Sequence, residues 1–147
     1  MDIRFAKEKD IKEIVKLCAL HAAFEEASFD VSNKEEQLSK HLFKGSAILK
    51  CLVVEEKNHI VGYATFMKQF STWDAQFYIY LDCLFLEEEM RGQGLGTKLM
   101  SRIKSYAKTE NCDIIQWQTP DFNTSAIKFY EKIGANSKTK ERFFWKV

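Results

Sequence analysis

Only one proline and six glycines punctuate the 147 residues of this chain. That scarcity leaves no Pro/Gly-rich linker, and no internal repeat or low-complexity tract is visible. One domain spanning residues 1 to 147 is therefore the expectation. An excess of charge is lacking too: 22 basic residues face 21 acidic ones, for a net charge of +1. Nothing in that balance asks for a nucleic-acid partner or an anionic membrane. No window approaches the roughly 20 apolar residues of a membrane span, and the first ten residues hold no signal-like apolar stretch. Cys18, Cys51, Cys83 and Cys112 form no CxxC pair, which argues against a metal centre and against a disulfide framework. They read as small buried hydrophobes in a reduced, cytoplasmic protein.

What is abundant is apolar surface, 46% of residues with 12 Phe among them, enough for a dense core. Ile3-Arg4-Phe5 alternates like an edge strand, and Asp10 with Glu13 has the spacing of a capping box opening a first helix. A second helix is expected over 33–43, stopped by Gly45. Two strand-like runs, 47–54 and 60–67, flank a polar turn at Lys57-Asn58-His59, as in a hairpin. The run Phe77 to Leu86 is apolar nearly throughout, as in a central strand covered on both faces. A helix begins near Gly94, a strand covers Asp113 to Gln118, and Asn123 caps a last helix that Gly134 ends. Arg142 to Val147 reads as a final strand. Strand–helix–strand crossovers make their strands parallel. The fold class is thus α/β (α+β): one mixed, mostly antiparallel twisted sheet with helices on both faces.

The informative segment is Arg91-Gly92-Gln93-Gly94-Leu95-Gly96-Thr97, with three of the six glycines in five residues between the central strand and a helix. Glycines there let main-chain N–H groups approach a ligand, and the helix start adds unsatisfied donors and a positive dipole end, which together seat an anion. Arg91 can add a charged contact to phosphate. The phosphate-loop signature of ATPases fails because Thr97 precedes Lys98, and the dinucleotide fingerprint fails because its third glycine falls one residue early.

Arg91-Gly92-Gln93-Gly94-Leu95-Gly96 resembles the pyrophosphate motif of the GNAT family of N-acetyltransferases, and the order of elements is similar over essentially the whole chain. Asn123-Thr124-Ser125-Ala126-Ile127-Lys128-Phe129-Tyr130 through Gly134-Ala135 resembles that family's second signature. The resemblance implies an acetyl-CoA cosubstrate whose pyrophosphate lies on the amides of Gly92, Gln93, Gly94, Leu95, Gly96 and Thr97. It implies a parallel strand pair splayed beyond Leu84, Phe85 and Leu86, whose main chain binds the pantetheine arm as an added strand would. Asn123 and Ser125 would contact that arm, and Tyr130 would direct its hydroxyl at the thioester sulfur. The backbone N–H of Leu84 is the oxyanion donor implied by the fold.

An amine must lose a proton before it attacks, and the departing thiolate must gain one. Asp82, a carboxylate inside an apolar run, has three roles open: base through a water, anchor for a cationic substrate, or member of a structural ion pair. The chain is most similar to the diamine and polyamine acetyltransferase branch, in which a glutamate usually stands at the Asp82 position. Glu25 and Glu26 lie where the family builds its acceptor site, and Trp73 is a candidate for cation–π contact. His21 and His41 are read as structural. The expected reaction is acetylation of a small amine (polyamine, diamine or lysine-like). Acetylation of a protein N-terminus or lysine, and non-catalytic sensing of acetyl-CoA, are the alternatives. Dimers are common in the resembled family, and the aromatic last strand is a candidate for such a contact.

Overall fold

The computed structural model describes residues 1–45 and 47–147. Five strands form one sheet in sequence order: β1 (Asp2–Phe5), β2 (Leu49–Glu56), β3 (His59–Ser71), β4 (Gln76–Leu86) and β5 (Ile115–Gln116). The first four are an antiparallel meander, and β5 runs parallel to β4. Helices α1 (Ile11–Phe24) and α2 (Lys34–Phe43) precede β2; α3 (Leu95–Thr109) makes the crossover from β4 to β5; α4 (Thr124–Lys132) follows.

The β2–β3 connection turns on Lys57 and Asn58, both with positive φ (49° and 66°), the geometry that matches the twist of a two-residue hairpin. Alternation along the strands divides the core. Leu52, Val54, Ala64, Phe66, Ile79 and Leu81 face Leu95, Leu99 and Ile103 of α3. Cys51, Val53, Tyr63 and Phe85 face Ile14 and Leu17 of α1 and Leu42 of α2. Burial of these two faces supplies the main driving force for the sandwich.

Three local expectations are corrected. Asp10 and Glu13 do not form a capping box: the Asp10 carboxylate accepts from the Lys7 amide at 2.7 Å and from Arg4 at 2.7 and 3.0 Å, while Glu13 accepts from the Ile60 amide at 2.9 Å. A guanidinium within reach outcompetes the helix's own amides for a carboxylate. The strand expected over 113–118 shortens to Ile115–Gln116. The tail at 142–147 makes no strand, and Phe143, Phe144 and Trp145 are 89%, 81% and 93% exposed. Aromatic residues favour a strand only when a neighbouring ladder accepts their backbone, and among the described residues none does.

Candidate functional site

Parallel pairing stops where a site can begin. β5 meets β4 only at Ile79 and Tyr80, while β3 continues along β4 as far as Gly62–Leu86. From Leu81 to Leu86 the other edge of β4 therefore has no strand partner among the described residues, and the two strands part. A cleft of about 1400 Å³ opens there, lined by Leu84, Phe85, Leu86, the glycine turn, Asn123 and Tyr130.

The turn after β4 is built to present donors. A short 3-10 segment (Glu88–Met90) returns the amides of Met90 and Arg91 to Glu87 and Glu88. Beyond it, the amides of residues 92 to 97 donate to no acceptor within the described residues. Gly92 and Gly94 have φ of 74° and 77°, a region that costs any other residue about 1–2 kcal/mol. A Cβ at either would meet nothing within 4 Å, so both point into open cleft. Gly94 is the N-cap of α3, and the helix dipole adds its positive end there. These donors fit a diphosphate.

Arg91 takes a more specific position than the sequence indicated. Its Nε donates to the Leu86 carbonyl at 3.0 Å, and its guanidinium lies 4.4 Å from the Phe24 ring centroid and 5.4 Å from that of Phe85. Its terminal nitrogens have no hydrogen-bond partner among the described residues. The Gln93 side chain turns away to the Glu89 carbonyl at 2.8 Å, tying the turn down, while its backbone amide remains free.

On α4, Asn123 caps the helix: its Oδ1 accepts from the Ala126 amide at 3.3 Å and from the Ser125 hydroxyl at 3.2 Å. Tyr130 packs 5.0 Å from the Trp117 ring and 5.2 Å from Phe129. Burial first, then the charge of Glu25, pushes its phenol up to about 12, so it stays protonated and available as a donor.

The structure also explains how Asp82 is tolerated. In the β3–β4 ladder Cys83 opposes Thr65 and Leu81 opposes Phe66, so Asp82 is the extra residue of a β-bulge. Bulges re-aim side chains. Asp82 is exposed and lines the cleft, so the desolvation expected from the apolar run does not arise.

Glu25 lines the cleft at the end of α1. Glu26, one residue on, is exposed with φ 58° and is not among the lining residues. Trp73, at the β3–β4 turn and 98% exposed, is outside it as well. His21, read from the sequence as structural, lines the cleft. Its Nδ1 is 3.0 Å from the Tyr63 hydroxyl, its Nε2 3.2 Å from Glu25, and its ring stacks on Phe85 with centroids 5.1 Å apart. Helical spacing alone carried a usable signal: His21 and Glu25 are four apart, one turn, on the same face.

The family model for the Acetyltransferase (GNAT) family matches residues 9–135. Thialysine N-epsilon-acetyltransferase from Bos taurus is 31% identical over 94% of this chain and 85% of its own. Spermidine/spermine N(1)-acetyltransferase-like protein 1 from Homo sapiens is 23% identical over 95% of this chain, which matches 21% of that longer protein. Among solved structures, a ribosomal-protein-alanine N-acetyltransferase from Brucella melitensis biovar Abortus 2308 superposes with a TM-score of 0.80 at 18% identity, over 99% of this chain and 98% of that one.

Proposed function

The chain belongs to the acetyltransferase (GNAT) family, and from that premise we propose that it transfers acetyl from acetyl-CoA to the primary amine of a small cationic acceptor. A polyamine, a diamine and a lysine-like amine all fit, and the whole of 1–147 serves as one catalytic domain. The names of its relatives support the reading, since one is a thialysine N-epsilon-acetyltransferase and another is named for its likeness to a spermidine/spermine acetyltransferase. The observation that carries the reading is the run of unpartnered amides at 92–97 beside the open edge of β4.

The acetyl donor supplies a thioester carbonyl already activated toward an amine. The chain's residues do the rest. Amides from Gly92 to Thr97, with Arg91, hold the diphosphate, and the main chain of Leu84, Phe85 and Leu86 with Asn123 and Ser125 aligns the pantetheine arm. Glu25 and Asp82 face the cleft as carboxylates and draw in the ammonium form of the acceptor.

Exposed at its bulge, Asp82 takes through a water the proton that the amine must lose. The attacking nitrogen bonds to the carbonyl carbon in a ternary complex, the Leu84 amide donates to the oxygen as charge builds there, and the carbon–sulfur bond breaks. Tyr130 donates to the departing sulfur, and the second proton shed by the acylated nitrogen returns through solvent to the Tyr130 phenolate. A cation beside Glu25 offsets the negative charge that raises the Tyr130 phenol, so acceptor binding itself makes the phenol a better acid.

The test is an assay of CoA release with purified protein, acetyl-CoA and a panel containing spermidine, 1,4-diaminobutane, lysine and thialysine. Release that saturates with at least one of them is expected. A panel that is silent throughout, beside a peptide that is acetylated, would replace this reading with protein acetylation.

A further inference from the structure

The bonding around His21 forms a chain that begins in the core and ends in the cleft. Tyr63 on β3 is only 1% exposed, and burial drives its phenol far above the ordinary range, so it keeps its hydrogen. Its hydroxyl has the His21 Nδ1 at 3.0 Å as its well-placed nitrogen acceptor. A phenol that donates to Nδ1 leaves the imidazole hydrogen on Nε2. Nε2 is 3.2 Å from Glu25 Oε1.

The ring itself is held. It stacks on Phe85 with the planes 25° apart, and Tyr63 packs edge-on at 6.0 Å. The His21 side chain is 13% exposed, against 31% for Glu25. The other groups around it are accounted for. Cys18 on α1 has its thiol pushed up by burial. Cys83 on β4 is pushed up to about 12 by burial and by the Asp82 charge. The Arg91 guanidinium lies over the Phe24 and Phe85 rings, 4.4 and 5.4 Å from their centroids. A flexible carboxylate at the end of a helix would ordinarily sample several rotamers; this one is tied to a rigid donor.

We propose that His21 is a positioning residue for the acceptor amine, fixed by Tyr63 so that it donates to Glu25 and aims that carboxylate into the cleft. This rests on the reading of the acceptor as a small cationic amine. Orienting a charged partner through a second hydrogen bond is what gives a site its geometric selectivity. His21 acts through Glu25, so its effect belongs in acceptor affinity and not in turnover. Glu25 is then a directed anchor.

Steady-state kinetics at saturating acetyl-CoA test this, with spermidine and thialysine as probes. His21→Phe keeps the stacking but loses both hydrogen bonds; it should raise the amine KM about tenfold, the scale of one hydrogen bond to a charged group. kcat and the acetyl-CoA KM should stay within a factor of about three. His21→Gln, which restores a donor near the Nε2 position, should recover most of the loss. Adding His21→Phe to Glu25→Gln should cost little beyond Glu25→Gln alone, since both remove the same link.

Additive effects, an unchanged amine KM, or equal losses in kcat and both KM values would overturn the proposal and leave His21 as packing. If His21→Phe does not fold, Tyr63→Phe takes its place, and an unchanged amine KM there overturns the proposal equally. A wild type inactive on both probes overturns the amine reading and this proposal with it. A wild type that is active, with an indifferent His21→Phe, overturns only this one.

Discussion

The α-carbon of Gly96 lies against the ring of Phe129: a Cβ built on it would stand 3.0 Å from Cζ. That contact joins the first turn of α3, whose amides face the cleft, to α4, which carries Tyr130 one residue further on. The third glycine of the motif thus has a different reason from the first two. Gly92 and Gly94 hold positive φ in open space, whereas Gly96 lets two helices close on one another. The proposed diphosphate seat and the proposed proton donor, Tyr130, are therefore parts of one packed unit.

These two reasons predict different phenotypes. Gly94→Glu places a carboxylate in the proposed anion seat and strains a left-handed residue by about 1–2 kcal/mol. Acetyl-CoA binding should disappear in calorimetry while the protein still melts cooperatively. Gly96→Ala should instead displace Phe129, weakening acetyl-CoA binding and lowering kcat together, because the displaced helix carries Tyr130.

Tyr130→Phe should lower kcat by about 100-fold, the lower range for a positioned general acid, with acetyl-CoA affinity nearly unchanged. With the free-enzyme phenol at about 12, its protonated form persists at every working pH. The wild-type kcat/KM profile should consequently show no alkaline fall from this group below that value. Glu25→Gln removes one of the charges that raise it, so the phenolate absorbance of Tyr130 should then appear at lower pH.

Asp82→Asn should reduce kcat/KM for the amine roughly 10- to 100-fold, and most at low pH, where more of the acceptor arrives as ammonium. A uniform loss across pH would assign Asp82 to attraction of the cation and not to proton removal.

Stability should reveal the Arg4 cluster. Burial alone would push the Asp10 carboxyl up, but hydrogen bonds from Arg4 and the Lys7 amide and the Arg4 charge outweigh it and hold the carboxyl below its usual range. A carboxylate lowered in the folded state stabilises the fold above its unfolded value of about 3.9, and that contribution is lost as pH falls through the folded value. Asp10→Ala should destabilise by roughly 2 kcal/mol at neutral pH, with the difference from wild type narrowing below about pH 4 in denaturant titrations.

Much of this was legible in the sequence because local patterns agreed with the tertiary result. The β4 strand, the start of α3 at Gly94 and Asn123 as a cap all appear where the sequence placed them. What sequence did not reveal depended on partners distant along the chain. Asp10 left its helix for Arg4 and Lys7, Asp82 proved exposed because Thr65 and Phe66 set a bulge, and the tail at 142–147 has no strand to pair with among the described residues. Trp73 looked suited to a cation, yet the length of the β3–β4 hairpin carries it outside the cleft. The spacing of His21 and Glu25 was legible, but the Tyr63 hydroxyl that fixes the ring comes from 42 residues away.

Cofactor binding is expected to rest on the main-chain donors at 92–97, and backbone amide spectra recorded while CoA is titrated into the labelled protein read them directly. Large shifts confined to residues 92–97, with smaller ones at 84–86, are the predicted result. Saturable CoA binding that leaves the amides of Gly92 to Thr97 unmoved would contradict it.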